Sequence, residues 1–158
     1  MKSSHKTGLA FGVTSGVITT LGTIVGLYSG TYSTLAIVGG ILMIAIADAF
    51  SDSLGIHISK EIEKESTTKE IWEATLTTFF SKFFIALTFV LPVLFFSLQA
   101  AVKVSVAWGL FLLGFFSVYI AKSRRVKSWP VVCEHIFIAI VVIILAQLTG
   151  FWIRKIFL

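Results

Sequence analysis

The stretch LAIVGGILMIAIADAFSDSLGIHIS, residues 35–59, places thirteen consecutive apolar or glycine residues before Asp48 and Asp52. A helix of about 20 apolar residues crosses the ~30 Å hydrocarbon core of a bilayer, because each residue rises about 1.5 Å. The stretch is long enough to span a membrane, yet it carries two acidic side chains at membrane depth. It therefore predicts the class of the protein and the position of its candidate functional site.

The composition of the whole chain agrees with a membrane protein. Of its 158 residues, 56% are hydrophobic and 13% are charged, and the mean hydropathy is +0.95. Such values are typical of polytopic membrane proteins. The predicted fold is all-α, a single transmembrane domain over residues 1–158 with a short acidic connection at 59–78. Its five predicted helices lie near residues 8–28, 35–58, 79–98, 104–121 and 131–152.

Lysine and arginine are unevenly distributed over the predicted connections. Ten fall in the N-terminus, second loop and fourth loop, with Lys2 and Lys82 among them, and three fall on the other side. The positive-inside rule then places the N-terminus in the cytosol and Leu158 outside. This bias accounts for the net charge of +5 without a nucleic-acid partner. We expect an integral protein of the plasma membrane in a prokaryote, or of an organelle or vacuole membrane in a eukaryote.

The first predicted helix is rich in glycine and threonine. Its glycines at 8, 12 and 16 and at 22, 26 and 30 recur every four residues, a spacing that lets another helix approach closely. The pattern predicts a homodimer packed through this helix. Its hydroxyls are expected to hydrogen-bond within or between helices, which is favoured over their lining a polar path. The charged start is not followed by a convincing cleavage site, so the helix is expected to be retained.

Two aspartates within a membrane helix need a partner, because each costs about 2.5–3.5 kcal/mol at a helix centre. Close carboxylates repel in a low dielectric, which favours a proton or a cation between them. Hard oxygen ligands suit Mg²⁺, Ca²⁺ or Mn²⁺, and carboxylates also bind Fe²⁺. The spacing puts Asp48, Asp52, Gly55, Ser59 and Glu63 on one helical face, with Ser51 at its flank. The alternative is that the two acids only hydrogen-bond to hydroxyls of the first helix as packing contacts.

The sequence leaves two alternative roles open for several other charged groups. The acids of the connection are either a solvated helical face or a vestibule that attracts cations; they are Glu61, Glu63, Glu65, Glu70 and Glu73. His57 points away from the aspartates, alongside Glu61, and a hydrogen-bonded role is favoured over a ligand role. The basic fourth loop, KSRRVKSWP at 122–130, is an interfacial anchor by default and an anionic-lipid contact as the alternative. Pro92 predicts a kink.

The segments GVTSGVITTLGTIVGL, residues 12–27, and ADAFSDSLGIHIS, residues 47–59, resemble the first two helices of the vacuolar iron transporter family. The residues that match the family's two patterns are Gly12, Gly16, Thr19, Thr20, Leu21, Ser51, Gly55, Ile58 and Ser59. The resemblance implies five membrane helices, a homodimer, and export of Fe²⁺ or Mn²⁺ from the cytosol in exchange for protons.

The chain departs from that family at four positions. Ser15 and Ile56 stand where the family has acids, Asp52 where it has methionine and His57 where it has tyrosine. Asp48 and Asp52 still give two intramembrane acids per chain, and four in a dimer.

These patterns favour a transporter of divalent metal, with no tightly bound cofactor. The second hypothesis is a membrane scaffold or partner subunit of the same fold. An enzyme is not expected, because no motif pairs a nucleophile with a base, and the single Cys133 leaves no intrachain disulfide.

Overall fold

The computed structural model of the chain describes residues 3–157, and the side chains of residues 4–157. Lys2 and Leu158, both used in the predicted topology, lie outside the described residues. The described chain is helical, with α1 at Ser3–Thr31, α2 at Thr34–Met43, α3 at Ala49–Ile62, α4 at Thr68–Thr88, α5 at Val90–Phe95, α6 at Leu98–Ser123 and α7 at Ser128–Phe157. A π-helical turn, Ile44–Asp48, joins α2 to α3 without a break.

Five helical segments are long and apolar enough to cross a membrane, as the sequence predicts. They are Ser4–Thr31, Thr34–Ile62, Thr68–Phe95, Leu98–Ser123 and Ser128–Phe157. The third begins well before the predicted residue 79, because Thr67 and Glu70 form a capping box that starts a helix there. The connection between the second and third segments is therefore a short turn at 63–67. The cytosolic orientation of the N-terminus stays a prediction.

α1 is the central helix of the bundle and packs against α2, α3, α4, α6 and α7. Its side chains Val13, Val17, Leu21 and Ile24 are fully buried. They form one core with residues from every other spanning segment. The hydrophobic contacts of α1 thus hold the five segments together.

The two glycine runs of α1 pack against different helices of the same chain. A Cβ on Gly12 would lie 2.6 Å from the carbonyl oxygen of Thr78 in α4. On the second run, Gly26 faces Ala146 of α7 and Gly30 faces Gly150. Both glycine faces of α1 are therefore covered by helices of the same chain. The glycine pattern no longer supports a homodimer packed through helix one. The homodimer itself stays a prediction.

The third segment is interrupted near Pro92, where the sequence predicts a kink. α4 ends at Thr88 and α5 begins at Val90, and the Phe89 N–H donates to Ala86 O at 3.1 Å. Proline has no N–H to donate, and its ring crowds the carbonyl four residues earlier. The regular helical bonding is therefore interrupted one turn before Pro92.

We expect Gly12→Ala to destabilise the protein by about 1–3 kcal/mol, because its methyl group would meet the α4 backbone. Gly114→Ala is the matched control, since a Cβ there has no neighbour within 4 Å among the described residues. Better helix propensity should leave it neutral or up to about 1 kcal/mol more stable. Thermal unfolding in detergent measures both. Equal melting temperatures for the two variants would contradict the packing of α1 on α4.

The order of the five segments predicts which turns share a side of the membrane. In a Cys133→Ser background, Ser66→Cys and Arg125→Cys should be labelled from one side by a membrane-impermeant maleimide. Ser97→Cys should be labelled from the other. Labelling of positions 66 and 97 from the same side would rule out five crossings.

Candidate functional site

Lys82 of α4 is the largest fully buried side chain, with 0% exposure, and it lies against both aspartates. Its Nζ is 2.5 Å from Oδ2 of Asp48 and 2.5 Å from Oδ2 of Asp52. It also donates a hydrogen bond to Ser15 Oγ at 3.0 Å, and Ser15 Oγ donates to Asp52 Oδ2 at 2.6 Å. We call Ser15, Asp48, Asp52 and Lys82 the lysine–aspartate site.

Three parts of the fold bring these four side chains together. Asp48 is the last residue of the π-helical turn, and Asp52 lies in the first turn of α3, so four residues separate them and both face α4. π-helical turns are rare and frequently lie at functional sites. On α1, a Cβ on Gly16 would lie 3.3 Å from Cα of Lys82. The missing side chain at Gly16 therefore lets α4 bring Lys82 beside Ser15.

The site surrounds the ammonium group with oxygen atoms and has an excess of negative charge. A lysine ammonium has three N–H donors, and three oxygen-bearing side chains surround this one. The contact with Asp52 has hydrogen-bond geometry, whereas the contact with Asp48 is an ion pair only. With all three groups ionised, two carboxylates and one ammonium carry one net negative charge. The site can therefore attract a further cation or a proton.

The carboxylates are covered less completely than the ammonium. The exposed fraction is 36% for the Asp48 side chain, 21% for Asp52 and 0% for Lys82. Part of each aspartate side chain is therefore not covered by this chain, although Oδ2 of Asp48 is buried and accepts no hydrogen bond.

The predicted ligands Ser51, Ser59 and Glu63 are not part of this site. Ser51 lines an apolar cavity between α3 and α4, and Ser59 and Glu63 are exposed near the end of α3. Glu63 accepts from Lys60 at 2.6 Å; this hydrogen bond is the main reason that its pKa lies below the usual value. Ser59 and Glu63 are also roughly 10 and 16 Å along the axis from Asp52, at about 1.5 Å per residue. Within residues 3–157, no three His, Cys, Asp or Glu side chains group to hold a metal ion.

The remaining acids of the predicted vestibule serve local structure or face outward. Glu70 belongs to the capping box of α4. Glu73 accepts a hydrogen bond from Ser4 at 2.9 Å and lies 3.7 Å from His5 Nε2, which ties α1 to α4. Glu61 and Glu65 are exposed.

His57 also contacts α4, but nearer the start of that helix than Lys82, at Thr75 and Trp72. Its Nδ1 is 2.9 Å from Thr75 Oγ1 and its Nε2 is 3.5 Å from Glu61. Its ring packs edge-on against Trp72. The residue is thus hydrogen-bonded, and it does not join the lysine–aspartate site.

Lys82 was assigned to the cytosolic charges by the sequence analysis, and that assignment is wrong. The residue lies inside the third spanning segment, Thr68–Phe95, and is fully buried. Without it, nine basic residues remain on the predicted cytosolic side against three, so the direction of the bias is unchanged. The available signal was a lysine within the apolar run FFSKFFIALTFV, because a charge at membrane depth calls for a partner of opposite sign.

We expect Lys82→Met to destabilise the protein by about 3–5 kcal/mol, because two carboxylates would lose their buried counter-charge. Adding Asp48→Asn and Asp52→Asn should restore much of the loss, since no unpaired charge then remains. Lys60→Met is the control: it removes a lysine paired with an exposed glutamate, where ion pairs contribute little. Thermal unfolding in detergent gives the order of stability. A Lys82→Met protein as stable as wild type would contradict the ion-paired site.

Comparisons with family models, curated proteins and solved structures give no match for this chain. The resemblance to the vacuolar iron transporter family accordingly rests on the residues quoted from the sequence.

Proposed function

We propose that the protein is a membrane transporter of cations, in which Asp48 and Asp52 bind the transported ion. When no ion is bound, Lys82 pairs with both aspartates. The observation that supports this most directly is the fully buried lysine of a spanning helix lying against two aspartates of another. Ionisable residues inside membrane segments are costly, and they commonly mark ion pathways and proton relays.

The composition of the site favours a transport role over a purely structural one. A buried ion pair contributes little net stability compared with well-packed apolar side chains of similar volume. One aspartate is sufficient to neutralise Lys82. The second aspartate leaves a net negative charge and, at Asp48 Oδ2, a buried oxygen that accepts no hydrogen bond, which a structural pair does not need and a cation site does.

The oxygen ligands of the site suit a hard or borderline divalent cation. Two carboxylates and a serine hydroxyl are ligands of the kind that Mg²⁺, Mn²⁺ and Fe²⁺ accept. The resemblance to the vacuolar iron transporter family favours Fe²⁺ or Mn²⁺, moved out of the cytosol in exchange for protons. Because Lys82 Nζ is 2.5 Å from Oδ2 of both aspartates, a metal ion that binds these two oxygens displaces the ammonium. Lys82 thus competes with the cargo for the same oxygens.

A homodimer is part of this proposal, on grounds other than glycine spacing. The Asp48 side chain is 36% exposed within a segment long and apolar enough to span a membrane, and hydrocarbon is a poor environment for an acidic side chain. A second copy covering the exposed face of α3 would shield that side chain. It would also bring four carboxylates and two lysines to one region.

The second candidate function is a non-transporting scaffold, in which the site only joins helices. The observation that favours it is that Lys82 is fully buried and contacts side chains of both α1 and the second spanning segment. Under this alternative, the aspartates affect assembly and stability but carry no ion.

Flux of Mn²⁺ or Fe²⁺ into proteoliposomes separates the two functions. Asp52→Asn and Asp48→Asn each leave one aspartate paired with Lys82, so both variants should fold while losing a charged ligand. We expect their flux to fall by at least about tenfold, the equivalent of roughly 1.4 kcal/mol in binding. Glu65→Gln is the control, because it removes an exposed acid outside the site and should leave flux unchanged.

Metal binding can be measured independently of flux. A ligand that binds only the folded state stabilises it by about 2.7 kcal/mol at 100 times its dissociation constant. Wild type should therefore melt at higher temperature with Mn²⁺ or Fe²⁺, and the aspartate variants should gain less. If wild type neither transports a divalent metal nor is stabilised by one at millimolar concentration, the transporter proposal is wrong and the scaffold function replaces it.

A further inference from the structure

A cavity of about 420 Å³ lies between α1 and α6, at the end of the bundle where the first spanning segment begins and the fourth ends. Its volume falls in the range of about 300–1,000 Å³ that is usual for ligand sites. Residues from both helices line it, including Lys6, Thr7 and Ala10 of α1 and Tyr119, Ser123 and Arg124 at the end of α6. We call this the basic cavity.

The basic cavity receives a positively charged side chain from each of the two segments that line it. Lys6 comes from α1 and Arg124 from the residue that ends α6. Neither forms an ion pair with another residue of the described range 3–157, and none of the lining residues in that range is acidic. Two unpaired cations that face a shared space with hydroxyl groups are a suitable environment for a phosphate group.

The surrounding charge adds to the attraction for an anion. The carbonyl groups at the end of α6 carry partial negative charge, which alone disfavours an anion. Lys122, Arg125 and Lys127 lie within three residues of Arg124 and outweigh this effect. Each basic residue near a membrane surface contributes about a fivefold factor in binding anionic lipid.

The position of the basic cavity favours a lipid headgroup over a free phosphate ion as the ligand. Lys6 lies in the first turn of its spanning segment and Arg124 directly after the end of another. This is the level of the lipid headgroups in a bilayer. Ala10 and Ile120, also in the lining, offer apolar contact on the membrane side. We propose that the basic cavity binds the phosphate-bearing headgroup of an anionic phospholipid from the same leaflet.

Native mass spectrometry of the purified protein in detergent tests this directly, with phosphatidylglycerol, phosphatidylcholine and inorganic phosphate as probes. We expect wild type to retain phosphatidylglycerol over phosphatidylcholine. The double variant Lys6→Gln/Arg124→Gln should bind phosphatidylglycerol about twenty-five-fold more weakly, the product of two roughly fivefold contacts. Lys64→Gln/Lys69→Gln is the matched control, because it removes the same charge at exposed positions outside the cavity.

Three results would overturn the proposal. Equal retention of the two lipids by wild type would show no preference for an anionic headgroup. Equal weakening in the two double variants would show attraction by overall charge, without a defined site. Binding of inorganic phosphate as strong as that of phosphatidylglycerol would show a site for the free ion. The variant Lys6→Arg/Arg124→Lys keeps both charges and should retain the lipid, which separates loss of binding from loss of folding.

Discussion

An ammonium group buried inside a bundle of apolar helices has to be neutralised by neighbouring side chains, and α1, the second segment and α4 are arranged so that they meet this requirement. Lys82 reaches three oxygen-bearing side chains, Asp48, Asp52 and Ser15. They come from the π-helical turn, α3 and α1. Asp48 and Asp52 lie four residues apart on one continuous helical segment, and Ser15 is supplied by a different helix. The ammonium therefore depends on the three segments meeting at one depth.

The small residues of α1 make that meeting possible. Gly8 and Gly12 lie against the backbone of α4 around Ala74 and Thr78, and Gly16 lies against Lys82. Each absent side chain shortens the distance between the helix axes, so that the short hydroxyl side chain of Ser15 can hydrogen-bond with Lys82. In the second half of α1, Gly26 and Gly30 allow α7 to pack closely in the same way. α1 is thus held along its whole length by two different partners.

The sequence was sufficient for the helical fold and for one half of the site. Length and hydropathy predict five spanning segments, and the cost of intramembrane acids singles out Asp48 and Asp52. Hydropathy windows could not locate the start of α4, because the capping box at Thr67 is set by two polar side chains. Helical periodicity groups residues of one helix and says nothing about which residue of another helix faces them. For that reason Lys82 was missed, and Ser59 and Glu63 were included although they lie turns away from Asp52.

Packing within the chain is distributed unevenly around the lysine–aspartate site. α1 presents buried side chains along its length, and α4 buries Ala74, Thr75, Thr78, Lys82 and Ala86. α3 buries only Ala49 and Ser53, and it follows a π-helical turn, where the regular α-helical hydrogen bonds are already interrupted. Of the helices that contribute a side chain to the site, α3, which carries Asp52 and directly follows Asp48, is therefore the least constrained by the rest of the chain. A change that separates Lys82 from the carboxylates costs fewer contacts if α3 moves than if α1 or α4 does.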